Sequence, residues 1–186
     1  NRQRDASTPD RDEHPLRLES DARAVQIVTI HKSKGLQYGT VFCPYPWSAS
    51  EAKGDDLLFR DPQYDYRLTL EIGAPEDSRA RDCLARESLS ENLRLLYVAL
   101  TRAKTRCYLA WGRVNLAETS APAYLLHCRE FRPDEPGLIA RMKAHWQELD
   151  DAALRADLDR LAARSGGAIS IRPLPADEAA VTRPFG

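Results

Sequence analysis

Val25-Gln-Ile-Val-Thr-Ile-His-Lys-Ser-Lys-Gly-Leu-Gln37 opens on a β-branched apolar run and closes on a polar loop. The near absence of polar alternation in 25–30 predicts a strand covered on both faces, and such strands are usually parallel. Beyond Gln37, Thr40-Val-Phe-Cys43 predicts a second strand. The loop therefore sits at the end of a sheet strand, where open α/β sheets place their ligands. Gly35 permits a tight turn or a close backbone approach. Lys32 and Lys34 offer positive charge for phosphate, and His31 can donate or accept a hydrogen bond. An ordinary solvated loop accounts for the same residues, because short motifs often match by chance.

A second informative stretch, Leu95-Leu-Tyr-Val-Ala-Leu-Thr-Arg-Ala103, lies downstream. Ser88 and Glu91 have capping-box spacing, which predicts a helix starting near Leu89. Leu89, Leu93, Leu96 and Leu100 recur at helical steps and form one buried stripe, with Tyr97 packing at its edge. Arg94, Thr101 and Arg102 lie off that stripe. Arg102 comes near the helix end, ahead of the apolar strand Cys107-Tyr-Leu-Ala-Trp111. An arginine on a packed helix can offer its planar fork to a phosphate with little positional freedom. A cation beside a helix C-terminus, worth about 0.3–1 kcal/mol, explains the same residue without any ligand. Between the two stretches, 57–60 and 66–72 flank the turn signal Asp61-Pro62 and read as a hairpin.

Composition bounds the rest. With 186 residues, 42% of them hydrophobic, the chain can bury one core and a helical appendage. Its net charge of −1 gives no global attraction to nucleic acid, so any such contact must come from a local patch. Cys43, Cys83, Cys107 and Cys128 lack C-x-x-C spacing and nearby histidines, which argues against zinc, and no metal site is expected. Cys43 and Cys107 fall within strand patterns and read as buried thiols. No signal peptide or membrane-length apolar run occurs, which gives a cytoplasmic expectation without membrane contact.

Residues 1–24 are polar and read as a flexible lead-in or the end of an inserted domain; 25–115 form the motif-bearing core. Residues 116–165 are helical in pattern, through Tyr124 to Cys128, then Leu138, Met142, Trp146 and Leu149, then Leu154, Leu158 and Leu161. Gly166-Gly167 ends that series, and 166–186 read as a short strand at 168–172 followed by a proline-bearing linker. His127 and His145 read as surface or half-buried. Arg141, Lys143 and Arg155 fit a solvated helix face; contact with DNA or with a partner protein is the alternative.

The joint pattern sharpens this. Thr29-Ile-His-Lys-Ser-Lys-Gly-Leu36 after a strand, followed on a later helix by Leu95-Leu-Tyr-Val-Ala-Leu-Thr-Arg-Ala-Lys104, resembles motifs V and VI of the UvrD-like superfamily 1 helicases. The finer resemblance is to the RecB-type subunits of exodeoxyribonuclease V. It rests on His31-Lys-Ser-Lys-Gly-Leu-Gln-Tyr38, Phe42-Cys-Pro-Tyr-Pro-Trp47 and Glu91-Asn-Leu-Arg-Leu-Leu-Tyr-Val-Ala-Leu-Thr-Arg-Ala-Lys104, and a similar hairpin insertion appears in those chains. It is strong over 25–112, moderate through 121–127 and faint beyond.

The resemblance implies an α/β fold: the C-terminal part of the second RecA-like (P-loop NTPase type) helicase domain, with a β-hairpin insertion and a helical C-terminal extension. It implies that Arg102 contacts the γ-phosphate of ATP as an arginine finger, with Gly35 and Gln37 near the nucleotide. Thr29, His31 and Lys34 would lie by the single-stranded DNA backbone. Gln37 departs from the glutamate of many relatives, keeping an acceptor but losing the charge. No G-x-x-x-x-G-K-[ST] loop occurs, so this stretch is expected not to hydrolyse ATP by itself. ATP and Mg²⁺ would be handled by a longer parent carrying the missing motor parts upstream and a nuclease domain after Gly186. That parent would be a helicase/exonuclease acting on duplex DNA ends in recombinational repair, with RecC-like and RecD-like partners. The alternatives are a UvrD-like motor without such partners, and an inactive helicase-like scaffold for protein or DNA docking.

Overall fold

A computed structural model of the chain describes residues 24–47, 54–76 and 78–174. Most of the expected lead-in, and the linker beyond 174, lie outside the described residues. The rest is a small mixed α/β domain with strands β1 (Tyr38–Cys43), β2 (Leu57–Asp61), β3 (Arg67–Glu71) and β4 (Ala103–Leu109). Its helices are α1 (Arg79–Leu100), α2 (Ala121–His127), α3 (Leu138–Glu148) and α4 (Asp151–Arg164).

β1 and β4 pair in parallel, with Thr40 opposite Arg106 and Phe42 opposite Tyr108, and the irregularity between Tyr38 and Thr40 shifts the register. The long helix α1 supplies the crossover between them. The second sheet is the expected hairpin, β2 antiparallel to β3, with Leu58 opposite Leu70. Alternation within β2 buries Leu57, Phe59 and Asp61 against Ala74, Ala80 and Cys83, where the hairpin meets the start of α1. Asp61 is fully buried; it accepts from the Gln63 amide at 2.9 Å and from Arg79 of α1 at 2.5 Å. A buried carboxylate is tolerable here because both its oxygens have donors.

The main core is helical. Leu89 of α1 joins Ala123, Tyr124 and Cys128 around α2, Leu138, Met142 and Trp146 of α3, and Leu154 of α4. Polar groups pin this core as well. Trp111, just past β4, donates its indole N–H to His127 Nε2 at 2.9 Å, and His127 Nδ1 lies 2.7 Å from Asp157 of α4. An indole nitrogen can only donate, so Nε2 is the unprotonated nitrogen and Nδ1 donates to the carboxylate. Trp146 meets both the Trp111 and His127 rings edge-on, at centroid distances of 5.7 and 5.8 Å.

Several expectations are corrected. Residues 25–30 form no strand: among the described residues none pairs with them, and Val25 and Ile27 are 92% and 98% exposed. A β-branched run supplies side chains for a ladder but cannot supply the neighbouring strand. Helix α1 begins at Arg79, not near Leu89. Its N-cap is Ser78, whose side chain accepts from the Arg81 amide, and Ser88 lies within the helix. The capping-box spacing was mimicked mid-helix, while Ala80 and Cys83 extend the buried face upstream. Tyr97 is exposed and does not pack, whereas Leu89 and Leu96 are buried as the stripe requires.

Cys107 is exposed and Cys43 half-buried, because the middle of β4 is left uncovered among the described residues; the buried thiols are Cys83 and Cys128. His127 has a fully buried side chain with a partner on each ring nitrogen. Residues 168–172 form no strand, again with no partner among the described residues. No helix among those residues is long and apolar enough to cross a membrane.

Candidate functional site

The loop ahead of β1 is held by its own backbone. His31–Ser33 form a 3-10 turn, in which the Ser33 amide bonds the Thr29 and Ile30 carbonyls at 3.1 Å. The Ser33 side chain is buried and donates to the Ile30 carbonyl at 2.6 Å. Thr29 contributes a longer bond, its Oγ1 lying 3.4 Å from the Lys32 amide. Gly35 then takes φ +83, the left-handed backbone that a side chain would strain. This turn sends the chain back toward α1 and leaves the side chains of His31, Lys32, Lys34 and Gln37 exposed.

The other half of the site is the end of α1. Thr101 is the C-cap and breaks the helix with φ −82, ψ 0, leaving carbonyls of the last turn without intrahelical partners. Arg102 fills that need. Its Nε donates to the Val98 carbonyl at 2.9 Å, and its Nη2 donates to Thr101 Oγ1 at 3.1 Å. The same guanidinium reaches out of the helix: Nη1 donates to the Leu36 carbonyl at 3.2 Å. Next to this contact, the Tyr38 amide donates to the Arg102 carbonyl at 2.9 Å, which starts the β1–β4 pairing.

The two sequence motifs thus meet through one side chain. Arg102 is half-buried, and it touches the peptide between the two expected nucleotide residues, Gly35 and Gln37. Thr29, His31 and Lys34 share the loop but make no bond to Arg102. The helix-end reading of Arg102 holds, since Nε sits on a terminal carbonyl. Sequence reasoning missed Ser33, the Leu36 carbonyl and the role of the Thr101 hydroxyl. A small hydroxyl residue amid charged neighbours was the available sign for Ser33. A backbone acceptor such as Leu36 leaves no sign at all.

Chemically, the site offers donors and positive charge, and no nucleophile. Among the described residues no group of three or more His, Cys, Asp or Glu side chains could hold a metal ion. The arrangement places one guanidinium in hydrogen-bonding contact with both the helix end and the loop.

Comparison with known proteins shows which family carries this stretch. The model of the UvrD-like helicase C-terminal domain matches residues 11–113. The chain is 43% identical over 94 residues to the RecBCD enzyme subunit RecB of Escherichia coli (strain K12), covering 50% of this chain and 8% of that protein. It is 41% identical over 104 residues to the RecBCD enzyme subunit RecB of Mycobacterium tuberculosis (strain CDC 1551 / Oshkosh), covering 54% and 9%. To a protein of Lacticaseibacillus paracasei that forms part of an ATP-dependent helicase/nuclease it is 34% identical over 108 residues, covering 54% and 9%. The match spans less than a tenth of each of these relatives. With over half of its length matched by the family model, and both motifs inside the matched stretch, the chain belongs to the UvrD-like helicase C-terminal domain family.

Proposed function

We propose that this chain is the C-terminal part of the second RecA-like domain of an ATP-dependent helicase/nuclease of RecB type. In this reading Arg102 is the arginine finger that meets the γ-phosphate of ATP, and the loop carrying Gly35 and Gln37 lies beside the nucleotide. Thr29, His31 and Lys34 face the single-stranded DNA backbone, where exposed cationic and hydroxyl side chains suit phosphate. The observation that carries the reading is the 3.2 Å bond from Arg102 to Leu36, which ties the helix end to that loop.

The reading assigns each part a simple task. Arg102 supplies fixed positive charge where charge develops on the transferred phosphoryl group, so little reorganisation is needed at the moment of reaction. The loop converts a change at that phosphate into a change of grip on the strand. Mg²⁺ would neutralise phosphate charge in the parent enzyme. The parent would act on duplex DNA ends, alongside RecC-like and RecD-like subunits.

The test is Arg102→Ala in the full-length enzyme. Turnover of ATP should fall by roughly 10³ or more, the lower end for loss of such an arginine, while folding and affinity for single-stranded DNA are retained. Near-normal turnover in a folded variant overturns the assignment.

A further inference from the structure

A guanidinium has five N–H donors in a fixed plane. In Arg102, three of them are engaged: Nε with Val98, Nη2 with Thr101 Oγ1 and Nη1 with Leu36. Each terminal nitrogen carries two hydrogens, so one remains on Nη1 and one on Nη2. That is the number a bidentate anion uses. With both of these hydrogens on the Nη1–Nη2 edge, the fork accepts a phosphate without letting go of the loop.

Which way the fork faces is decided by Thr101. Its hydroxyl has one proton, directed at the Tyr97 carbonyl at 2.8 Å and the Val98 carbonyl at 3.1 Å. The lone pairs are then turned to Arg102 Nη2. Thr101 is exposed, so its side chain adds little to the core, and its value lies in this orientation. We propose that Thr101 is a positioning residue that holds the Arg102 fork so that it carries the Leu36 carbonyl and a terminal phosphate at the same time. Arg102 is then a bridge, and an anion bound to it stiffens the loop rather than releasing it. This inference rests on the reading of Arg102 as the phosphate-contacting residue, and it goes beyond that reading in naming Thr101, the direction of the loop's response and the backbone atom through which it travels.

The test combines amide hydrogen exchange with steady-state kinetics. In the 186-residue chain without nucleotide, Arg102→Ala should speed exchange at the Ser33, Lys34 and Leu36 amides by roughly fivefold, the size set by one lost hydrogen bond. In the full-length enzyme, a non-hydrolysable ATP analogue should slow exchange at those amides, and Arg102→Ala should abolish the slowing. Thr101→Val, which keeps the shape and loses the hydroxyl, should lower kcat about tenfold, less than the roughly 10²–10³ for losing a pre-organised donor outright, with KM little changed. Thr101→Ser should restore both kcat and the slowing. The inference is overturned if the analogue speeds loop exchange, or if Thr101→Val is indistinguishable from wild type. It is also overturned if Thr101→Ser is as impaired as Thr101→Val, since that result would mean packing. If Arg102→Ala loosens the loop in the nucleotide-free chain but leaves turnover intact, the tie to Leu36 stands and the phosphate reading is what fails.

Discussion

The helical extension and the motif-bearing sheet differ in a way that runs against their resemblance to known proteins. The α2–α4 region carries the weaker resemblance, moderate over α2 and faint beyond, yet it holds the larger core, with Leu138, Met142 and Ala123 at 1% exposure or less. The β1–β4 pair carries the motifs, yet Phe42 and Tyr108 stack on each other at 4.7 Å with 69% and 47% of their surfaces exposed. A two-stranded parallel sheet cannot cover its own faces or edges. The extension closes its core with Leu89 of α1 and with Trp111 beside it. The sheet leaves its faces uncovered among the described residues, and the motif residues are ordered chiefly by local hydrogen bonds at Ser33, Thr101 and Arg102.

This contrast can be broken by substitution. Trp146→Ala removes a ring that touches Trp111, His127 and the Arg113 guanidinium. It should destabilise the chain by about 3–5 kcal/mol, the usual cost of deleting a buried indole, measured by urea denaturation. A loss below about 1 kcal/mol would mean that the helical core is not what holds the domain together. Asp61→Ala should follow, at about 1–3 kcal/mol, because it strips Arg79 and the Gln63 amide of their acceptor and loosens the hairpin from α1. Ile27→Ser, at a 98% exposed site, should change the stability of the chain by under about 0.5 kcal/mol. In the full-length protein the same change should cost more, if 25–30 become a paired strand there.

The extension also titrates. Burial pushes the His127 imidazole below its ordinary pKa of 6.5, with Asp157 opposing part of that shift, so the ring is neutral in the fold. His145 pushes it down further, and Arg160 shares the Asp157 carboxylate. Below pH 6.5 the unfolded chain binds a proton that the folded chain excludes, so stability is full above that value and declines as pH falls through it toward the folded pKa. Protonation also sets an N–H against the Trp111 N–H, which removes one acceptor from the network. Stability curves at pH 8, 7, 6 and 5 check this. His127→Gln should flatten the decline, and an unchanged slope in that variant would assign it to other groups.

Which parts of this were legible in the sequence follows from where the information sits. Hairpin, crossover helix and the three later helices were readable, because the Asp61-Pro62 turn signal marks a local reversal, and the spacing of apolar residues in 89–100 and 138–161 marks faces that this chain itself buries. The strand expected at 25–30 was not realised, because a strand is defined by its partner and none is present among the described residues. The start of α1 was misplaced because Ser88 and Glu91 imitate a cap that Ser78 provides. Arg102 was found through its motif, and the hub at His127 was missed. Its partners Trp111 and Asp157 are far apart in sequence and follow no spacing rule.

The central claim is that Arg102 meets the terminal phosphate of a nucleotide while holding the loop at Leu36. The most direct measurement is a structure of the full-length protein with a non-hydrolysable ATP analogue and single-stranded DNA. The account expects Arg102 Nη1 and Nη2 at about 3 Å from γ-phosphate oxygens, with the bond to the Leu36 carbonyl retained. A guanidinium still turned wholly to its own helix, with another cation on the γ-phosphate, would contradict it.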